Sequence, residues 1–209
     1  MLRLRRKVIA IYPNGFPSTL SDFDSRTFVD AEFLPEYIMG LISLFRETSA
    51  LECLPVTFYF CSRLPMDYLL KGRNGVTLAW EDQVACIMGR EALLRAQEEL
   101  SHSFIFRLTS PVGCTTRGLC ARRAKRSLNR FHHEISRLYE VFALTCLKDW
   151  SMMDGICAVC VNRMELDHKA GRQAVWNSLP KYFGLGSWDE IEKGAQRWSD
   201  EEAFKKVEE

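Results

Sequence analysis

From Cys160 onward, Val161, Met164, His168, Gly171, Val175 and Leu179 recur at steps of three or four, the spacing of one face of an α-helix. His168 therefore lies on the apolar stripe. The helix is entered through Cys157-x-x-Cys160, and the sequence predicts that it stops at Leu179-Pro180, before an aromatic and glycine-rich turn through Tyr182, Phe183 and Trp188. Two thiolates three residues apart at the mouth of a helix can point at one ion, a common zinc half-site. His168 cannot complete that site along a straight helix. It lies eight residues from Cys160, roughly 12 Å at 1.5 Å per residue, whereas ligand atoms sit about 2.0 to 2.3 Å from zinc. The candidates for the other half are Cys114 and Cys120, in the loop Pro111 to Cys120, where Gly113 and Gly118 allow tight turns. Together Cys114, Cys120, Cys157 and Cys160 would make a closed four-thiolate site joining the two ends of an intervening helix. The alternative is that they are reduced, buried cysteines acting as small hydrophobes. His168 by itself reads as a core histidine hydrogen-bonded to a neighbour.

Whether metal or disulfide is the better expectation depends on the compartment. The start MLRLRRKVIAIYPNGF is basic, but its apolar run, Val8 to Tyr12, is too short for a signal-peptide core. The longest apolar run, Tyr37 to Phe45, falls well short of the roughly 20 residues of a membrane span. The expectation is an intracellular, soluble protein of nucleus or cytoplasm, with no membrane partner. There the eight cysteines mean free thiols or metal, not a disulfide framework. A net charge of +1 and a pI near 7.6 give no global pull toward nucleic acid. At 209 residues and 47% hydrophobic, the chain can bury one substantial core, in one lobe or two.

Helical patterns account for most of the rest. Leu34, Tyr37, Ile38, Leu41 and Phe45 mark one amphipathic helix, and Leu51, Leu54, Phe58 and Cys61 another before Pro65, joined at Thr48-Ser49. Pro35 and Pro55 fall at helix starts, where a missing N–H is tolerated. Lys71 to Gly75 reads as an exposed turn, with Val76 to Leu78 a short extended piece. A long helix is predicted from Trp80 to about Phe106, with Ala85, Met88, Ala92, Leu93, Ala96 and Leu100 inward and Glu91, Arg95, Glu98 and Glu99 outward. Ala124, Leu128, Phe131, Ile135, Leu138, Phe142 and Cys146 recur at steps of four and three, which predicts a heptad helix ending near Trp150. Residues 189–209 form a charged helical tail with Ile191, Ala195 and Trp198 inside. The fold class that follows is mainly α, an irregular bundle of about six to eight helices, with the cysteine-bearing loop joining two of them.

Several of these stretches resemble a known family. The order LPVTFYFC at Leu54 to Cys61, the helix over Trp80 to Glu99, SPVGCTTRGLCARR at Ser110 to Arg123, and then CAVC with His168, Gly171-Arg172, Trp176, Leu179-Pro180 and Phe183 is similar to the C-terminal region of fungal, mainly mushroom-type, BTB/POZ-domain-containing proteins. The resemblance covers nearly the whole chain. It implies that residues 1–25 are the exit from an upstream BTB-like domain, that 26–188 are a helical domain, and that the BTB fold itself is missing. Met1, followed so soon by an element end at Pro13-Asn14-Gly15, reads as a segment that something usually precedes. The family's paired cysteines fall on Cys114, Cys120, Cys157 and Cys160.

No catalytic motif of the nucleotide-binding, metalloprotease or nucleophile-elbow kinds is present. His132-His133-Glu134, flanked by Phe131 and Ile135, points outward as a solvated face. Asp167 and His168 could pair locally. Arg117, Arg122, Arg123, Lys125, Arg126 and Arg130 form a local basic patch at the start of the heptad helix. The functional expectation is a non-enzymatic module with no catalytic residues, holding another protein through apolar grooves or the aromatic turn, with structural zinc as its sole cofactor. Trp176, Leu179 and Phe183 serve that reading as contact surface and its alternative as plain core. The competing classes are a nucleic-acid-binding zinc module and a cysteine-based redox protein.

Overall fold

The computed structural model describes residues 19–25, 35–106, 111–116, 118–126, 141–147, 149–150, 153 and 155–195. The chain is mainly α, as its periodicity dictates, and no strand occurs among these residues. An isolated bridge from Arg73 to Val76 takes the place of the expected extended piece. Two compact units are present, Met1–Ala92 with Asn177–Glu209, and Leu93–Trp176.

In the first unit, helix α1 (Leu20–Ser25) opens with a reciprocal cap, Thr19 Oγ1 accepting the Asp22 N–H and Asp22 Oδ2 the Thr19 N–H, each at 3.1 Å. Helix α2 (Pro35–Glu47) begins on its proline and buries Ile38, Met39, Ile42 and Phe45. A 3-10 turn, Leu51–Cys53, leads into α3 (Leu54–Ser62), which has Pro55 in its first turn. Nearly every residue of α3 is buried, as expected of a helix that is apolar all round. It packs on α2, and Tyr59 and Phe60 receive Phe23, both at 5.8 Å. Helix α4 (Met66–Lys71) ends at Gly72, where φ is 76° and a Cβ would overlap the Val76 carbonyl.

Helix α5 (Trp80–Ala96) differs from expectation in its rotation. Met88, placed inward by the sequence pattern, is exposed, and the buried line runs through Asp82, Cys86, Gly89 and Leu93. The cause is Phe183, whose ring lies where a Cβ on Gly89 would be and stacks on Phe58 at 5.3 Å. The inward charge of Asp82 is met by Arg46 at 2.9 Å. Trp176, Leu179 and Phe183 are all buried, so the core reading holds for them.

In the second unit the helical path changes register at Gln97–Ser101, a π-helical stretch closed by a 2.7 Å bond from the His102 N–H to the Gln97 carbonyl. The single helix expected to reach Phe106 is therefore broken, and α6 (Ser103–Phe106) follows separately. Residues 118–126 form α7, and α8 spans Ala158–Tyr182. The core gathers Phe104, Ala124, Met153 and Met164, with Leu147, Trp150, Ile156 and Val161 against them.

Residues 127–140 of the expected heptad helix, including His132, His133 and Glu134, lie outside the described residues. The end of that helix is corrected, because residues 141–147 and 149–150 are not helical. Buried side chains have captured their backbone groups instead. Gln97 Oε1 accepts the Phe142 N–H at 2.6 Å, Arg172 donates twice to the Leu144 carbonyl at 2.9 and 2.6 Å, and His168 Nε2 accepts the Leu147 N–H at 3.3 Å. A carbonyl or N–H committed to a side chain is withdrawn from a helical ladder.

Helix α8 continues through Pro180 to Tyr182, two residues past the predicted stop. It then closes in a Schellman arrangement, Gly184 (φ 70°) donating to the Lys181 carbonyl at 3.1 Å and Leu185 to the Pro180 carbonyl at 3.0 Å. Pro180 has no N–H to donate back along the helix, and α8 ends within two residues of it. Helix α9 (188–195) is capped by Ser187 and Glu190, and Ile191 is buried as expected. Trp198 lies outside the described residues. Among the described residues no helix is long and apolar enough to cross a membrane.

Candidate metal centre

Within the second unit, the loop 111–116 and the start of α7 supply Cys114 and Cys120, and the entry to α8 supplies Cys157 and Cys160. Gly113, at φ 91°, makes the turn that brings Cys114 inward. Cys120 is carried on the first turn of α7, whose Leu119 and Cys120 N–H groups both donate to the Thr116 carbonyl at 2.9 Å. Cys157 immediately precedes α8, and its carbonyl accepts from Cys160 at 2.9 Å and Val161 at 3.1 Å.

The four Sγ atoms all lie within 4.8 Å of one another. Cys114 and Cys157 are 3.8 Å apart, close to the roughly 3.8 Å edge of a tetrahedron of thiolates held about 2.3 Å from zinc and far from the ~2.0 Å of a disulfide. All four are free thiols; Cys114, Cys120 and Cys160 are buried and Cys157 half-buried. The loop and helix start chosen from spacing are thus the ones brought together. Four thiol ligands from two segments can hold a metal ion such as zinc, with every position of a tetrahedron supplied by the protein.

Donors surround the sulfurs. The Cys157 N–H donates to Cys120 Sγ at 3.3 Å, and Thr116 Oγ1 lies 3.0 Å from the same sulfur. The Cys160 backbone N–H aimed at Cys157 Sγ is the largest influence pulling that thiol down to about 6, helped by the Cys120 and Cys160 side chains and the Thr115 backbone, against the effect of burial. Burial pushes Cys114 and Cys160 upward, and for Cys160 the neighbouring thiols add to it. One thiol poised as thiolate beside two whose ionisation is held back is the condition a divalent cation relieves. Thr116 and the N–H donors of residues 157 and 160 are members of the site that spacing did not reveal. A Thr-Thr pair inside a Cys-x5-Cys loop carries no marker of where its hydroxyl will point.

His168 is not a ligand. Its Nδ1 donates to the Ser101 carbonyl at 2.7 Å, while Nε2 accepts from Leu147, so the neutral ring is used at both ends. Asp167, the other expected partner of His168, pairs instead with Arg163 at 3.0 Å. Of the basic patch, Arg122, Arg123, Lys125 and Arg126 are exposed on α7, and Arg123 donates to the Gly155 carbonyl at 2.8 Å. Arg117 and Arg130 lie outside the described residues.

Comparison with family models, with curated proteins and with solved structures returns no match. The chemistry of the site is accordingly read from its own geometry.

Proposed function

We propose that the chain is a non-enzymatic helical interaction module that binds another protein, its second unit pinned by a structural zinc ion on Cys114, Cys120, Cys157 and Cys160. The observation that carries this reading is the convergence of four Sγ atoms within 4.8 Å from segments that share no helix. A closed four-thiolate shell leaves no position for an activated water, which favours a structural over a hydrolytic role. His102 and His168 are both buried, which also supports a scaffold. The resemblance to the region after the BTB domain in fungal BTB/POZ proteins points the same way.

The test is elemental analysis of purified, reduced protein with a thiol count before and after a strong chelator. The expected result is about one zinc per chain, four thiols released, and helicity lost on chelation. Metal-free protein whose Cys157 and Cys160 are readily oxidised in the native state would overturn it. That outcome favours the second reading, a dithiol redox protein, which draws on the lowered Cys157 thiol beside Cys114.

A further inference from the structure

We propose that the partner docks on the outer face of the cysteine knuckle, and that it is an acidic protein segment carrying an apolar anchor. This rests on the reading of the chain as an interaction module and names the chemistry of its partner. Three exposed aliphatic side chains surround the cysteine cluster: Val112, 94% exposed, Leu119, 40%, and Val159, 41%. Each is one or two residues from a clustered cysteine, within roughly 7 Å of it by the reach of the chain. Val159 lies beside the loop, its Cγ1 3.9 Å from the position of a Cβ on Gly113.

Cations frame these side chains. On α7, Cys120 and Ala124 are buried, while Leu119, Arg122, Arg123 and Arg126 share the opposite side at steps of three and four. No aspartate or glutamate occurs from Pro111 to Arg126 or from Gly155 to Arg163, so the side-chain charge of these two segments is of one sign. A phosphate backbone would match the charge but would leave Val112 and Leu119 uncovered. A lipid surface would gain only the projecting Val112, since Leu119 and Val159 are more than half covered, and stable anchoring takes more than one weak signal. An acidic segment with a leucine or phenylalanine covers both the cations and the aliphatic floor, and its carboxylates complement the arginines.

The probe is a short fluorescein-labelled peptide alternating glutamate with leucine and phenylalanine, titrated by anisotropy into the zinc-loaded full chain. Polyglutamate of equal length, a single-stranded oligonucleotide and phosphatidylserine vesicles are the comparators. The mixed peptide should bind at least about tenfold more tightly than polyglutamate, and Arg122→Glu with Arg126→Glu, or Val112→Ser, should each weaken it with zinc content unchanged. Equal binding of polyglutamate, preference for oligonucleotide or vesicle, or no binding by zinc-loaded protein would overturn the proposal. So would loss of zinc in the charge-reversed variants, which would make the cations counter-ions of the thiolate cluster. Peptide binding by protein that holds no zinc would sink the metal reading and leave the docking face standing.

Discussion

A methyl group on Gly171 would overlap the Leu100 carbonyl and the Ser101 Cα, backbone atoms that no rotamer change can move aside. Gly171→Ala, though it raises helix propensity, should therefore destabilise the protein by about 1 to 3 kcal/mol. Gly40, inside α2 with nothing within 4 Å of its Cβ position, is the control: Gly40→Ala should stabilise by about 0.5 to 1 kcal/mol. Urea titrations of both variants decide the matter. His102 makes a second prediction at this scale. Burial first, then the nearby His168 and Arg172, hold it down to about 3 against an ordinary 6.5. The unfolded chain then binds the extra proton between those values, so the contribution is complete above about pH 6.5 and is lost as pH falls toward 3, at up to about 1.4 kcal/mol per unit. Unfolding midpoints between pH 7.5 and 5 should fall, and His102→Phe should flatten the slope above pH 5. An unchanged slope in that variant would assign the dependence elsewhere.

At the scale of elements, the knuckle and α8 are tied by sulfur. Cys120→Ser removes one sulfur ligand, the one 3.0 Å from Thr116 Oγ1 that accepts the Cys157 N–H, and should lower zinc affinity by at least about 100-fold. Cys86→Ser, at a buried cysteine outside the cluster, should leave zinc stoichiometry unchanged, whatever its effect on stability. Competition with a colorimetric chelator reads both. The non-helical path at 141–147 is an element held by three side chains, and His168→Phe would leave the Leu147 N–H and the Ser101 carbonyl to find other partners. Much of this scale was legible in the sequence. Of the stripe through Val161, Met164, His168, Gly171, Val175 and Leu179, Val161 is half-buried and the rest are buried, because a 3.6-residue period admits one apolar face and the choice is local. The heptads that ran on to Cys146 misled at 141–147, because periodicity counts apolar residues and takes no account of distant polar groups that claim the backbone.

For the whole molecule, the two units should respond differently to metal removal. Chelation should release the amides of the loop 111–116, of α7 and of the entry and first turn of α8, which carry the four sulfurs, while α2 and α3, whose core is Met39, Ile42, Phe45, Leu54 and Phe58, keep their protection. Hydrogen exchange with and without chelator tests this. Loss of protection across both units at once would show that the ion holds the entire chain and not its second unit alone.

The sequence by itself determined the mainly helical class, the presence of α2, α3 and α8, and the identity of the four cysteines worth pairing, since propensity, proline placement and spacing are properties of neighbours along the chain. Only the tertiary structure decided that Gly89 and not Met88 faces inward, against Phe183, that His168 serves Ser101 and Leu147, and that the Cys157 N–H reaches Cys120. Those outcomes depend on groups far apart in sequence meeting at fixed distances. Hydrogen bonds and ring packing are short-ranged in space, and a one-dimensional pattern does not record which distant partner arrives first.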